Sequence, residues 1–499
     1  MCGVAGIIGC DQDAMKLAER MGKSLHHRGP DDFGIYVQNE SSLVLVHTRL
    51  AILDLSYAGH QPMQTPDGRF TIVFNGEIYN FRELKLDLIS EGVSFLSESD
   101  TEVLLQMFAR YGGKMVDRLV GMFALAIWDR ERRELFLARD PLGIKPLYVW
   151  QHGENLAFAS ELRAVLQAKL ADPRINALAV AEYLKTGTVP EPLTLVEQVE
   201  MLPAGSTLTW RDGAIQQSTF WRASFPAGQD LSSSKTDWAS AVDTTRRALQ
   251  TSILRQFVSD VPVGIFLSGG IDSTAIVSLA RQAGIEEIKS FSISFGEAEF
   301  NEGDIASRTA AHFKTDHHEW RMTANDGKQL FAQFLESMDQ PSNDGFNTFC
   351  ISKFAHDCEM KVVLSGLGGD ELFGSYPSFR RIPQMLRYHR WLQKTGAARN
   401  VIAAILRKLD ESGPRGRLAD FMLSSGDSAA AFRAMRGFFT QKDTSILVAH
   451  YCGKPCPESF SEQEPYKPSD RWSIPDQVSF LEMTRYMRNQ LLRDSDVMS

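Results

Sequence analysis

Up to about residue 150 the chain alternates short apolar, β-rich runs with polar turns. LVLVH (43–47), FTIVFN (70–75), MFALAIW (122–128) and ELFLAR (134–139) each have the length of a strand and are bounded by turn residues. One helical stretch, 100–111, interrupts them. The pattern predicts a mixed domain of stacked sheets with few helices. From 204 to 237 the chain shifts to Gly, Ser, Thr, Asp and Pro and ends in DLSSSKTD, which reads as a connector with a helix cap at its end. Apolar residues at helical spacing from 238 to about 257 then open a second domain running to 499, while 1–203 forms the first. In this second half VPVGIFL (261–267), SFSISF (290–295) and KVVLS (361–365) are nearly continuous apolar strands separated by helical stretches. Such strands indicate a parallel sheet covered on both faces. Beyond residue 376 the pattern is mostly helical and rich in Arg, and the chain shows no internal repeat.

Composition narrows this picture modestly. A chain of 499 residues is too long for one hydrophobic core, so at least two domains are expected. An apolar fraction of 43% and a charged fraction of 23% describe an ordinary globular protein. A net charge of -9 supplies no field that gathers phosphate backbones or anionic lipid, so nucleic acid and membrane are not expected partners. No run of eighteen apolar residues occurs. The start, MCGVAGIIG, lacks a basic leader and has Cys where myristoylation needs Gly, which makes the cytoplasm the expected compartment. The six cysteines are too scattered for a disulfide framework, and Cys452 and Cys456 lack the further ligands of a zinc site.

Cys2 carries the first candidate chemistry. Trimming of Met1 before this small residue would give Cys2 a free α-amine beside its thiol, placing nucleophile and base on one residue. An α-amine titrates near ~8 and is a plausible base directly or through a water. Around it stand HRGPDDFG (27–34), HTRLAILDL (47–55), FNGEIYN (74–80), SDTE (99–102), GMFALAIWD (121–129) and RDPLGIKPLY (139–148). In order and spacing these resemble the class II glutamine amidotransferase domain, a family of N-terminal-nucleophile hydrolases with an αββα sandwich. The resemblance implies Asn75 and the Gly76 N–H as the oxyanion hole. It also implies Arg49, Leu50, Glu77 and Asp100 as the glutamine site, with Arg49 for the α-carboxylate and the two acids for the α-ammonium. Asp100 also stands where a helix opens, so capping competes with that role. His26, His27 and His47 read as structural.

The second candidate site is SGGIDS (268–273), set between an apolar strand and an amphipathic helix. Glycines admit phosphates to the backbone, and the helix N-terminus offers free N–H groups. The loop has neither the Lys-Ser/Thr ending of a Walker loop nor GxGxxG spacing. It resembles the pyrophosphate loop of ATP pyrophosphatases and implies a doubly wound parallel-sheet domain with a helical C-terminal part, α/β beside the α+β first half. ATP would then be held by Leu267, Ser268, Gly269, Gly270, Asp272, Ser273, Ile293, Ser365 and Gly366, and Mg2+ by Asp272 and Asp370. Leu267 and Ile293 suit ordinary core packing as well, and His317 and His318 read as strand residues.

Together the motifs resemble the glutamine-hydrolysing, class B asparagine synthetases. That resemblance implies amidation of a carboxylate, most directly aspartate, through an acyl-adenylate, with ammonia passing internally between the sites. It implies glutamine, ATP and the carboxylate as small-molecule partners, and a homodimer, which the family often forms. Two departures bear on the product. Leu367 stands in SGLGGDE where the family commonly has SGEGxDE, and the chain stops at LLRDSDVMS, where relatives run on through a segment like E-x-R-x-P-F. Ser499 would then mark a C-terminal truncation, with Asp494 and Asp496 near a place where a basic residue is missing. The competing readings are the same chemistry on another carboxylate and a regulator that binds glutamine or ATP without synthesis.

Overall fold

Twelve strands build the first half: β1 (Gly3–Ile8), β2 (Asp32–Gln38), β3 (Leu43–Arg49), β4 (Met63–Gln64), β5 (Phe70–Ile78), β6 (Gly121–Asp129), β7 (Glu134–Arg139), β8 (Tyr148–His152), β9 (Asn155–Ala159), β10 (Val199–Met201), β11 (Ser206–Arg211) and β12 (Ala214–Thr219). They form two six-stranded antiparallel sheets, ordered β10-β8-β9-β1-β3-β2 and β12-β11-β7-β6-β5-β4. The computed structural model describes residues 1–9, 13–170, 172–226, 237–296, 302–393, 397–457 and 467–499.

The alternation of side chains along each strand sends every second residue to the opposite face. Val4 and Ile8 of β1 therefore point into a layer shared with Val73, Ala124, Trp128 and Phe158 between the sheets. Ala5 and Ile7 point outward beneath the helices Ala14–Leu25 and Leu162–Gln167. Phe74, Leu125 and Ile127 of the second sheet do the same beneath Phe81–Ser90 and Asp100–Tyr111. The result is an αββα sandwich, and it explains why β1 is buried along its whole length.

Three helices of this sandwich, Ala14–Leu25, Phe81–Ser90 and Leu162–Gln167, are absent from the expected pattern. Ala14–Leu25 buries Leu17, Ala18, Met21 and Leu25 at three- and four-residue spacing, and the Asp13 side chain caps it by accepting from Lys16 N. The expected connector also differs. Its first part forms β11 and β12, because Leu208 and Trp210 alternate into the inter-sheet core where Thr207 and Thr209 do not. Residues 227–236 of that stretch, and Cys10, lie outside the described residues. Asp237 caps the helix Trp238–Gln256, accepting from Ala239 N.

The second half carries a wholly parallel four-stranded sheet of β13 (Val263–Phe266), β14 (Lys289–Phe295), β15 (Asp316–Met322) and β16 (Val362–Leu364), ordered β15-β14-β13-β16. One face packs Ile265 and Leu267 on Val277 and Ala306, and the other packs Phe291 on Ala355 and Met360. The chain then runs through helices to a final stretch in which Ile474–Leu481 is α-helix, Glu482–Leu492 is π-helix and Arg493–Val497 is α-helix again. Among the described residues no helix is long and apolar enough to cross a membrane.

Phe158 lies fully buried between the sheets, its ring so close over Gly6 that a Cβ there would sit 2.5 Å from it. Phe158→Ala should remove about 3–5 kcal/mol from the sandwich. Calorimetry should show its unfolding transition moved to lower temperature, while the transition of the parallel-sheet half stays in place.

Candidate functional site

Cys2 stands at the mouth of β1, the central strand of its sheet. Its Sγ donates to the Leu50 carbonyl at 3.7 Å, and its own carbonyl accepts from Arg28 Nε at 2.9 Å. Burial pushes the thiol above its ordinary range, and Glu77 adds to this. The preceding Met1 is held in the same place, its Sδ 2.7 Å from Lys145 Nζ and its amine lowered to about 5 by burial.

The two sheets are tied together beside this point. His47 of β3 pairs in register with Val4, and its Nε2 meets the Phe74 carbonyl of β5 at 3.0 Å. Burial lowers the His47 pKa to about 3, so the ring is neutral and donates that bond. The next residue of β5 is Asn75, 1% exposed, whose Nδ2 has no acceptor among the described residues. A buried donor left without a partner is uncommon and costs on the order of 1–3 kcal/mol. Gly76 follows, and a Cβ there would lie 2.0 Å from the Met122 carbonyl oxygen, so only glycine fits.

Acidic and basic groups surround these donors. Burial, then repulsion from Asp100, raises Glu77 well above the carboxylate range. Asp100 is raised to about 6 by burial, although it accepts from Ile78 N at 3.0 Å. The helix cap belongs to its neighbour Ser99, whose side chain accepts from Thr101 N, so the capping role does not fall on Asp100. Two buried carboxylates held against each other favour a cation between them. Arg49 is buried nearby, its guanidinium anchored by the carbonyls of Leu53, Asp54 and Ser56. His27 and Arg28 both bind Glu161, and His26 is exposed at the surface.

The second site arises from topology. In chain order the parallel sheet reads third, second, first, fourth, so the direction of winding reverses between β13 and β16, and loops leaving their carboxyl ends frame a crevice. These loops are 268–273 and 365–370. Ser273 Oγ accepts from Ser268 N at 3.2 Å, and Ser268 Oγ accepts from Gly270 N at 3.1 Å, which fixes the first loop. Asp272 packs onto the second: a Cβ at Gly369 would be 2.4 Å from its carboxylate and one at Gly366 3.1 Å from its Cβ. Burial and then repulsion from Asp370 raise the Asp272 pKa. Leu267, just beyond β13, is fully packed, and Ile293 of β14 is partly so. Leu367 is 41% exposed on the second loop.

Two features escaped the motifs. Glu302 Oε2 accepts from Gly269 N at 2.9 Å, placing a carboxylate on a loop amide of the kind that takes a phosphate oxygen. Across the seam, Glu191 binds Arg139 Nη1 at 2.6 Å and Arg488 Nη1 at 3.1 Å, with all three residues buried. With Gly143, Asn489 and Arg493 they line a small void of about 10 Å3 between the halves, little more than the space of one water. Glu302, Glu191 and Arg488 stand in no motif and gave no signal in sequence, and the motif that opens at Arg139 does not reveal its partners.

An αββα sandwich with an N-terminal thiol beside an orphaned buried donor, joined to a parallel sheet with glycine loops at its switch point, defines an amidotransferase coupled to a nucleotide-using ligase. Family comparison agrees in both halves: residues 1–221 match the glutamine amidotransferase domain and residues 244–499 match asparagine synthase. The chain belongs to the glutamine-hydrolysing asparagine synthetase family of ligases. It is similar to asparagine synthetase 1 of Bacillus subtilis at 31% identity, covering 100% of this chain and 77% of that one. It is also similar to asparagine synthetase B of Escherichia coli at 30%, covering 78% and 67%. A relative with a different name, amidase chry2 of Gibberella zeae, is 29% identical over 78% of this chain and 62% of its own.

Gly369→Ala tests the contact between the loops. Its Cβ would displace only the flexible carboxylate of Asp272, so the fold should tolerate it with an unchanged melting temperature. Titration calorimetry with ATP should show binding weaker by about tenfold or more, equivalent to ~1.4 kcal/mol.

Proposed function

We propose that the chain transfers the amide nitrogen of glutamine to a carboxylate activated by ATP, most directly converting aspartate to asparagine. The observation that carries this reading is Asn75 Nδ2, a buried donor without an acceptor on the strand beside Cys2. An unsatisfied buried donor has a reason to persist where negative charge develops during a reaction.

With Met1 removed, the Cys2 thiol attacks the glutamine side-chain carbonyl while its α-amine takes the thiol proton. Asn75 Nδ2 and the Gly76 N–H receive the oxyanion, a contribution of about 3 kcal/mol for one such donor. The amine returns the proton as ammonia leaves, and water then cleaves the thioester to glutamate. Arg49 takes the glutamine α-carboxylate with the N–H groups its loop carbonyls leave over, Leu50 lines the site, and Glu77 and Asp100 receive the α-ammonium.

At the second site the loop of Ser268, Gly269, Gly270, Asp272 and Ser273 cradles the phosphates of ATP, and Leu267, Ile293, Ser365 and Gly366 surround adenosine. The acceptor carboxylate attacks the α-phosphorus and pyrophosphate departs. Ammonia then attacks the acyl-adenylate and AMP departs. The Asp272 carboxylate packs against Gly369, the neighbour of Asp370, so these two acids would hold a Mg2+ ion, which would neutralise the pyrophosphate oxygens. An internal route for ammonia between the two sites, cytoplasmic residence and a homodimer belong to the same proposal through the family. A second reading, amidation of another carboxylate, is favoured by Leu367, which puts an apolar side chain on the loop beside the crevice.

Cys2→Ala should abolish use of glutamine and spare use of free ammonia, whereas Asp272→Ala should abolish synthesis and spare glutamine hydrolysis. Pyrophosphate and AMP release, measured over a panel of carboxylic acids, reads both and names the acceptor. No stimulation by aspartate together with strong stimulation by another acid decides for the second reading, and release of ADP sinks the adenylation scheme. Hydrolysis without ATP-dependent product under any acid decides for a regulator.

A pH effect follows from Asp100. Its ionised form holds the α-ammonium and prevails above about 6, so kcat/KM for glutamine should rise through that pH and level off above it. Asp100→Asn should lower kcat/KM and erase this acid limb; a limb that survives unchanged assigns it to another group.

A further inference from the structure

Asp496 belongs to the last helix of the synthetase half, Arg493–Val497, yet its side chain is buried against the glutaminase half. Its Oδ2 accepts from Arg28 Nη2 at 2.7 Å and its Oδ1 from Lys145 Nζ at 3.2 Å. The three residues are 3%, 4% and 3% exposed in the order Asp496, Arg28, Lys145. Arg28 uses its remaining donors on the site itself: Nε holds the Cys2 carbonyl at 2.9 Å and Nη1 holds Glu161 at 3.1 Å. A carboxylate from the far end of the chain therefore sits one residue behind the nucleophile. The preceding turns of the same helical run hold the loop that carries Lys145, since Arg488 Nε donates to the Leu142 carbonyl at 3.1 Å.

We propose that Asp496 is a positioning residue for glutamine hydrolysis, completing the support of Cys2 only while the C-terminal helix is docked on the glutaminase sandwich. This rests on the reading of Cys2 as the nucleophile. Without Asp496, Arg28 and Lys145 become two buried like charges with one fewer counterion, and their mutual repulsion acts on the residue that holds the Cys2 main chain. Release of the helix thus loosens the nucleophile, and ammonia is not made while the accepting half is undocked.

The charged groups acting on the Met1 amine and the Cys2 thiol, among which trimming of Met1 would leave the Cys2 amine, are Arg28 from the turn after Ala14–Leu25, Lys145 from the loop after β7, Asp496 from the C-terminal helix and Glu77 from β5, with Glu161 behind Arg28. Loss of the Asp496 charge leaves the cations to disfavour the protonated amine, so the amine should titrate at lower pH. Loss of the Lys145 charge should act in the opposite direction.

The test uses the full chain in three variants, Asp496→Asn, Asp496→Glu and Lys145→Met, with glutamine hydrolysis followed over pH and ammonia-dependent pyrophosphate release followed beside it. Asp496→Asn should lower kcat for glutamine by about 10- to 100-fold, the range that a misplaced catalytic group costs. Its KM should change little, and the acid limb of kcat should move to lower pH. Ammonia-dependent synthesis should stay within about twofold, the differential effect expected of a group that supports only the other half-reaction. Asp496→Glu, which keeps the charge, should return the limb and part of kcat. Lys145→Met should move the limb to higher pH, which keeps the idea testable where Asp496→Asn does not fold. Wild-type hydrolysis in Asp496→Asn, equal loss with both nitrogen donors, or limbs that move in the same direction in Asp496→Asn and Lys145→Met would overturn the positioning role. Cys2→Ala, assayed alongside, separates the failures. Continued hydrolysis there overturns the nucleophile and this proposal together, whereas its loss beside a wild-type Asp496→Asn overturns the positioning role alone.

Discussion

The structure depends on charges that are buried at the seam between its halves and fully satisfied only across it. Arg28 and Lys145 on one side meet Asp496 on the other, and Glu191 on one side lies between Arg139 and Arg488 from both. An ion taken out of water costs several kcal/mol unless its partner is held in good geometry. Each half alone would expose or orphan part of this set, so the docked arrangement is the one in which the charges are paired. That fixes the distance and orientation of two sites that no single core could relate.

The same constraint explains what was legible in the chain. Cys2, Asn75, Gly76, Asp272 and Gly366 sit in local motifs, because the roles proposed for them, nucleophile at a strand mouth, oxyanion donor and phosphate loop, each need a short run of fixed residue types. The strands at 70–78, 121–129 and 289–295 announced themselves by apolar runs. The helix Ala14–Leu25 did not, since its buried stripe is set among charged residues and its cap is the single carboxylate of Asp13. β11 and β12 were hidden because an edge hairpin shows water one face: Thr207, Thr209 and the polar run 216–219 outweigh Leu208 and Trp210 by composition. Glu191, Arg488 and Asp496 were silent for a different reason. Their partners are 52 to 468 residues away, and no spacing within the chain encodes such pairs.

Position in the fold also sorts the two sites by how they are held. The glutaminase groups sit on strands inside a sandwich, with the His47 contact to the Phe74 carbonyl tying the sheets beside Cys2 and Asn75. The nucleotide groups sit on loops beyond the strand ends, fixed mainly by hydroxyl bonds within 268–273 and by the packing of Asp272 on Gly369. A site built on strands is pre-formed, whereas one built on loops adapts more readily to its ligand. The difference suits the two proposed half-reactions, one with a fixed oxyanion hole and the other admitting ATP and an acid in turn.

The last helical run shows how a single element serves both demands. Over Glu482–Leu492 its turns widen to π-helix, a form found mostly where function or strain requires it. The wider turn lets consecutive residues find partners on the same side: Arg488 reaches Glu191 and Leu142, Asn489 receives the Glu191 N–H, and Gln490 reaches Asn343. An α-helix turns successive residues by about a hundred degrees and would send one of these three away from the seam. The chain then returns to α-helix at Arg493, which aims Asp494 at Ser342 and Asp496 at Arg28. One run thereby touches the helix start at 345 on the synthetase side and the nucleophile's support on the other, so that displacement at either end is felt at both.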